Sequence, residues 1–298
     1  MKMKKKNNNP NFAKKKNKIL SISIKIVIAV LIILGAIYIV THYLNLHKDD
    51  KITLDKITEK WEEYDYSAVY EMGKQFLQED YYNNKVLTYY AYACFFLSVS
   101  QTDTSVAQDY LDESINNLRL ALYDAEDNLK PQLQYMLGKA YFYKNTISSY
   151  YYADLAVKYL TMAKQNGYET DDISEYLGLS YAALGMTMES ISAFTGALQV
   201  RESDYLLLSI AEQYYKAKEY NASEQYLYRI INNSEDNELI IKSKLLLGNI
   251  YLDKEDYDNA IKEFEDIIDN FENSPDAHFG IGLVYEKQNN LVKARAEW

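Results

Sequence analysis

Cysteine, proline, histidine and glycine are all scarce in this chain of 298 residues. The one cysteine, Cys94, stands inside the apolar string AYACFFL, so no disulfide can form within the chain. The role expected of it is that of a small buried hydrophobe. There are three prolines, none between Pro131 and Pro275, and ten glycines. Helix breakers this rare imply a nearly all-helical chain. The three histidines are His42, His47 and His278, and no H-E-x-x-H, Walker loop or zinc-spaced Cys/His set occurs. The sequence therefore nominates no catalytic residue, no metal ligand and no cofactor. Acid pairs such as Asp171–Asp172 and Glu255–Asp256 fall at hairpin turns or helix starts and read as caps. His278 falls in a packing position and is expected to be partly buried and structural.

Negative charge is missing from the start of the chain. Nine lysines and no acid precede Ile26. The next 19 residues, Ile26 to Leu44, carry no charged side chain. A helix of that length covers roughly 28 Å, close to a bilayer core. The run is longer than a signal-peptide core and ends in IVTHYLNLH, with no small-x-small cleavage site. An uncleaved single-pass anchor over 26–46 is the expectation, behind a basic cytosolic tail, 1–25, and ahead of a linker, 47–54. The lysine asymmetry puts the N-terminus in the cytosol and the rest across the membrane; the expected setting is the inner membrane and periplasm of a bacterium. Beyond residue 51 the chain has 21 basic and 41 acidic residues. A body so acidic repels nucleic acid, which is excluded as a partner.

What fills the rest is a helical period of about 34 residues. The clearest copy reads LLLGNIYLDKEDYDNAIKEFEDII, from Leu245 to Ile268. In it Leu247 and Gly248 are followed by Tyr251, Ala260, Phe264 and Ile267. The next copy sets Ile281, Gly282, Tyr285, Ala294 and Trp298 in the same slots. Upstream the slots hold Leu177, Gly178, Tyr181, Ser190, Phe194 and Ala197, then Ile210, Ala211, Tyr214, Ser223, Leu227 and Ile230. A longer copy has Leu137, Gly138, Tyr141, Ala156, Leu160 and Ala163, and one farther back has Tyr92, Ala93, Phe96, Ser114, Leu118 and Ala121. Small residues at the eighth and twentieth slots let paired helices approach, while large ones at the seventh, eleventh and twenty-fourth fill the space between. One hairpin cannot bury its apolar face alone, so neighbours must stack. Two copies are stretched, over Leu97–Asp109 and Lys144–Tyr152, which lengthens the link between paired helices.

These residues resemble the tetratricopeptide repeat (TPR) family over residues 55–298, as six copies with a degenerate seventh around Trp61, Asp65 and Val69. Ser replaces the small Ala in three copies, and the family's usual Trp of the first helix is missing. The resemblance implies an all-α fold, an α-solenoid of six to seven helix hairpins whose last hairpin is incomplete at Trp298. In that family, slots 2, 5, 9, 12 and 13 of each first helix line a concave groove. Carried over, they nominate Tyr135, Lys139, Phe142, Tyr143, Glu175, Tyr205, Glu212, Tyr215, Lys242 and Asn249 as the partner-binding residues. Gln132, Asp172 and Leu245 occupy further groove slots. The competing role for the tyrosines is packing between adjacent repeats. The expected function is a membrane-tethered scaffold that binds protein or peptide partners outside the cytosol, in envelope assembly or secretion. The rivals are a self-associating structural protein, a homo-oligomer formed through the C-terminal repeat, and an enzyme subunit with a site of carboxylates alone.

Overall fold

The computed structural model describes residues 30–42, 51–271 and 274–298, and among them every regular element is a helix. The chain divides into two units, 1–53 and 54–298. The first contributes one described helix, α1, over 30–42, whose apolar side chains, Leu31, Ile32 and Ile39 among them, are exposed. Among the described residues no helix is long and apolar enough to cross a membrane. Most of the tail and linker, and the two ends of the 26–46 span, lie outside the described residues.

The second unit is a row of seven helix pairs. They are α2 (Leu54–Glu62) with α3 (Tyr66–Glu79), α4 (Asn84–Val99) with α5 (Thr104–Tyr123), and α6 (Lys130–Ile147) with α7 (Ala153–Gln165). Then follow α8 (Ile173–Ala183) with α9 (Thr187–Val200), and α10 (Asp204–Lys216) with α11 (Tyr220–Asn233). The last two are α12 (Asn237–Asp253) with α13 (Tyr257–Asn270), and α14 (Pro275–Lys287) with α15 (Leu291–Glu297). Each helix packs on the next in sequence, and first helices of successive pairs also touch, as α4 does α6 and α12 does α14. Contacts are thus confined to near neighbours, the arrangement of a solenoid. The two stretched copies prove to be longer helices: α4 and α5 are separated only by residues 100–103, and α6 from α7 by 148–152.

The pairing contact is made without a side chain on one partner. A Cβ added at Gly138 would lie 2.6 Å from Leu160 Cγ, one at Gly178 would lie 2.5 Å from the Phe194 ring, and one at Gly248 would lie 2.5 Å from the Phe264 ring. Gly282 stands in the same relation to the Trp298 indole. The eighth slot is therefore small because the twenty-fourth is large and faces it. The three Ser departures have a physical reason as well. Ser190 Oγ donates to the Gly178 carbonyl, Ser223 Oγ to that of Ala211, and Ser114 Oγ to that of Ala91, each at 2.8 Å. All three serines are fully buried. Each hydroxyl ties the second helix to the backbone of the first without leaving a polar atom unsatisfied.

The turns between paired helices are reversed by one left-handed residue. Tyr64, Gly185, Lys218, Glu255 and Asn289 all have φ between 59° and 71°. The following N–H reaches back five residues, as Asp256 N does to Tyr251 O at 2.8 Å and Asn290 N to Tyr285 O at 2.8 Å. Only one of the five is glycine, so these turns hold strained residues in place through the packing around them.

Two glycines should respond oppositely to one methyl group. Gly248→Ala is expected to lower the free energy of unfolding by about 1–3 kcal/mol, because the Phe264 ring has no room to yield. Gly196 lies inside α9 with its nearest neighbour, Ser174 Oγ, at 3.9 Å. Gly196→Ala should raise stability by up to about 1 kcal/mol through helix propensity. Urea unfolding of the two variants followed by circular dichroism checks both signs.

Candidate functional site

The groove residues nominated from the repeat pattern all lie on first helices, but the structure separates them into two groups with different chemistry. The first group sits where α6 meets α8. Tyr135 is only 7% exposed, and its hydroxyl donates to the Asp172 carboxylate, 2.7 Å from either oxygen. Lys139 Nζ lies 3.1 Å from Asp172 Oδ2 and 3.1 Å from Tyr135 Oη. The same ammonium stands 4.7 Å above the Tyr176 ring and 5.2 Å above that of Tyr135. Tyr143 Oη and Tyr176 Oη are hydrogen-bonded at 3.2 Å, and Phe142 meets the Tyr176 ring edge-on at 5.1 Å. Glu175 is held by Arg201 at 3.2 Å. These side chains are spent on one another and bind neighbouring pairs together.

Burial drives the ionisation of this group. It raises the Tyr135 and Tyr176 hydroxyls far above the usual phenol range, with Asp172 and Tyr143 respectively adding to the shift. Burial also pushes Asp172 up, but the Tyr135 hydrogen bond and the Lys139 charge outweigh it, and the carboxyl ends below its ordinary value. Asp172 was expected as a helix cap, yet its side chain makes no cap hydrogen bond and turns to Tyr135 instead. Asp256 does cap, accepting from Asn259 N at 3.4 Å.

The second group lies on α10 and α12 and is open. Tyr205 is 60% exposed at the start of α10. Glu212 and Lys216 are exposed and make no ion pair among the described residues. The surrounding protein nonetheless pushes the Glu212 carboxyl upward, against the opposing pull of Lys216 and Lys242. Lys242 pairs with Glu238 at 2.6 Å, one turn before it on α12. Tyr215 is half-buried, its ring 6.0 Å from that of Tyr220, and its hydroxyl is pushed up to about 12 by burial and by Asp253. Asn249 is half-buried, and its amide has no hydrogen-bond partner among the described residues. Phe279, 56% exposed on α14, occupies the equivalent of the Leu245 slot one repeat on, and the sequence reading left it out. Its slot alone would have found it.

The other chemically distinctive groups sit in structural places. Cys94 is fully buried, and burial first, then the nearby Glu113, raises its thiol above the normal range. Glu113 accepts hydrogen bonds from both Tyr90 and Tyr70. His278 Nδ1 lies 2.8 Å from Glu297 Oε2, bridging α14 and α15. Among the described residues no group of His, Cys, Asp and Glu is arranged to hold a metal ion.

Residues 245–298 match the family model described as tetratricopeptide repeat. The family match thus falls on the last two helix pairs. A solved TPR protein from Parabacteroides merdae has the same fold, with a TM-score of 0.55 at 17% identity over 70% of this chain and 77% of that one. YrrB, described as a TPR protein with an unusual peptide-binding site, is similar at a TM-score of 0.45 and 16% identity, over 60% of this chain and 88% of its own. MamA from AMB-1 gives a TM-score of 0.45 and 16% identity, over 57% and 88%. No curated protein matches the chain.

The Tyr135–Asp172–Lys139 cluster makes stability of these repeats depend on acid. Because the folded carboxyl is held below the unfolded value of about 3.9, its contribution is complete above that pH. It is lost as pH falls through the lower folded value. Asp172→Asn should flatten this acid limb, and at neutral pH should cost about 1–3 kcal/mol by weakening the buried Tyr135 pair. Thermal unfolding of both proteins between pH 2 and 7 measures the difference.

Proposed function

We propose that the chain is a membrane-tethered scaffold whose first-helix face binds protein or peptide segments on the extracytoplasmic side of a bacterial membrane. Envelope protein assembly or secretion is the setting that goes with that position. One observation carries the reading. On the α10–α12 face Tyr205, Glu212 and Lys216 are exposed and the half-buried Asn249 amide has no hydrogen-bond partner among the described residues, whereas the α6–α8 groups are consumed by packing. Tyr offers a large contact area at low entropic cost, and flanking charges of both signs set register on a partner. This makes α10 and α12 the binding part of the nominated groove, and Tyr135, Lys139, Phe142 and Tyr143 its support.

The tether is the second part of the proposal. The apolar helix 30–42 is exposed along its length, and the lysine-rich residues before it favour the cytosolic side. Holding the repeats at a surface raises their local concentration, so contacts that are individually weak suffice.

The test is site-specific photo-crosslinking of the full chain in intact cells. A crosslinker at Tyr205, Glu212 or Asn249 should capture one common protein, and one at Glu265, exposed on the second helix α13, should not. The double change Glu212→Lys with Lys216→Glu should cut that capture by about tenfold. Capture independent of position, or unaffected by the charge reversal, contradicts the assignment. Protease added to spheroplasts should degrade residues 54–298, and their protection would contradict the topology.

A further inference from the structure

A cavity of about 570 Å³ opens between the first helices α2, α4 and α6, and of the groove-slot residues named above only Gln132 lines it. Trp61, Tyr89, Tyr92 and Leu129 form its apolar part, beside a polar lining that includes the Asp55 carboxylate. The rings are splayed, with Trp61 5.5 Å from Tyr89 at 44° and 5.9 Å from Tyr92 at 56°. Splayed rings leave both faces and edges free for a further ring. Lys85 and Gln132 stand at the rim. The Trp61 indole N–H, the Tyr89 hydroxyl, the Lys85 ammonium and the Gln132 amide bond to nothing among the described residues. Deeper in the wall, Tyr92 Oη is buried without a partner. At α6 and α8 the polar tips of the aromatic side chains are used by the fold, and here they are not.

We propose that this cavity is the anchor pocket of the interaction face and takes one aromatic side chain of an extended peptide. The proposal deepens the scaffold reading and rests on it. Donors at Lys85, Trp61 and Gln132 suit the carbonyls that flank a side chain on a peptide main chain, and the Asp55 carboxylate suits its N–H groups. Gln132 lies one turn before Tyr135 on α6, so a strand seated here continues along the same layer of first helices toward α10 and α12. A half-open anchor cavity of this kind adds affinity to what the exposed α10–α12 side chains supply.

The chain contains only two tryptophans, Trp61 and Trp298. Incorporating 5-fluorotryptophan into the detergent-solubilised full chain therefore gives two fluorine resonances, assigned by Trp298→Phe. N-acetylphenylalaninamide should move the Trp61 resonance saturably and leave that of Trp298 in place. N-acetylleucinamide should bind about fivefold more weakly or worse. Tyr89→Ala should weaken the aromatic probe by a similar factor. Thr88→Lys, a helix-compatible change at the mouth, should abolish the shift while the resonances keep their folded positions. Non-saturable or parallel movement of both resonances, equal response to the leucine probe, or movement with N-acetylglucosamine alone overturns the anchor pocket. Each of those results leaves the crosslinking outcome at α10 and α12 untouched, so the two proposals fail separately.

Discussion

The structure depends on one contact, the ring or branched side chain of a second helix laid against a bare stretch of the first. Gly178 under Phe194 and Gly248 under Phe264 are the clearest cases, and Gly138 under Leu160 is the aliphatic version. Removing a side chain from one helix lets the two axes close, and the large group opposite fills the space that closure leaves. Everything downstream follows from that spacing. Paired helices present an apolar flank to the next pair, as in the cluster of Phe264, Ile267, Ala277 and Ile281, and the row grows by repetition.

Stacking then decides what each first helix can offer to a partner. Where a repeat supplies Tyr135, Lys139 and Tyr143 opposite Asp172 and Tyr176, the side chains that could face outward close on one another. Where it supplies Glu212, Lys216 and Asn249, nothing opposite completes them. The distinction lies in pairs of repeats, not in single ones. An Asp at the start of α8 draws Tyr135 inward, whereas on α12 Lys242 acts on Glu212 but pairs with Glu238. The same logic leaves Trp61, Tyr89 and Tyr92 around an unfilled volume at the first two pairs.

Much of the architecture was legible from residue type and spacing. Scarce Pro and Gly, a 34-residue period and small residues at two slots were enough for an all-helical repeat fold, because those slots are a direct record of helix approach. The left-handed turns at Lys218 and Glu255 sit in the polar strings AKEY and KEDY, where neither residue type advertises a positive φ. The Ser substitutions looked like departures because slot logic reads size and not hydrogen bonding. In the fold each one donates to a backbone carbonyl. The groove was legible as slots but not as a surface. Slot position places Tyr135 and Tyr205 alike, and only the residues of the neighbouring repeat separate a 7% exposed phenol from a 60% exposed one. The cavity at α2, α4 and α6 was hidden for a related reason: its first pair is short, and Trp61 fits the repeat pattern poorly.

The most direct test of this dependence is hydrogen exchange, read helix by helix, in a Gly178→Val variant. Forcing a branched side chain against Phe194 should expose α8 and α9 and loosen the flanking α7 and α10. Protection in α4, α5, α12 and α13 should remain near wild type, because contacts reach only to neighbours. Uniform loss of protection along the row, or none anywhere, would contradict a fold built on that local contact.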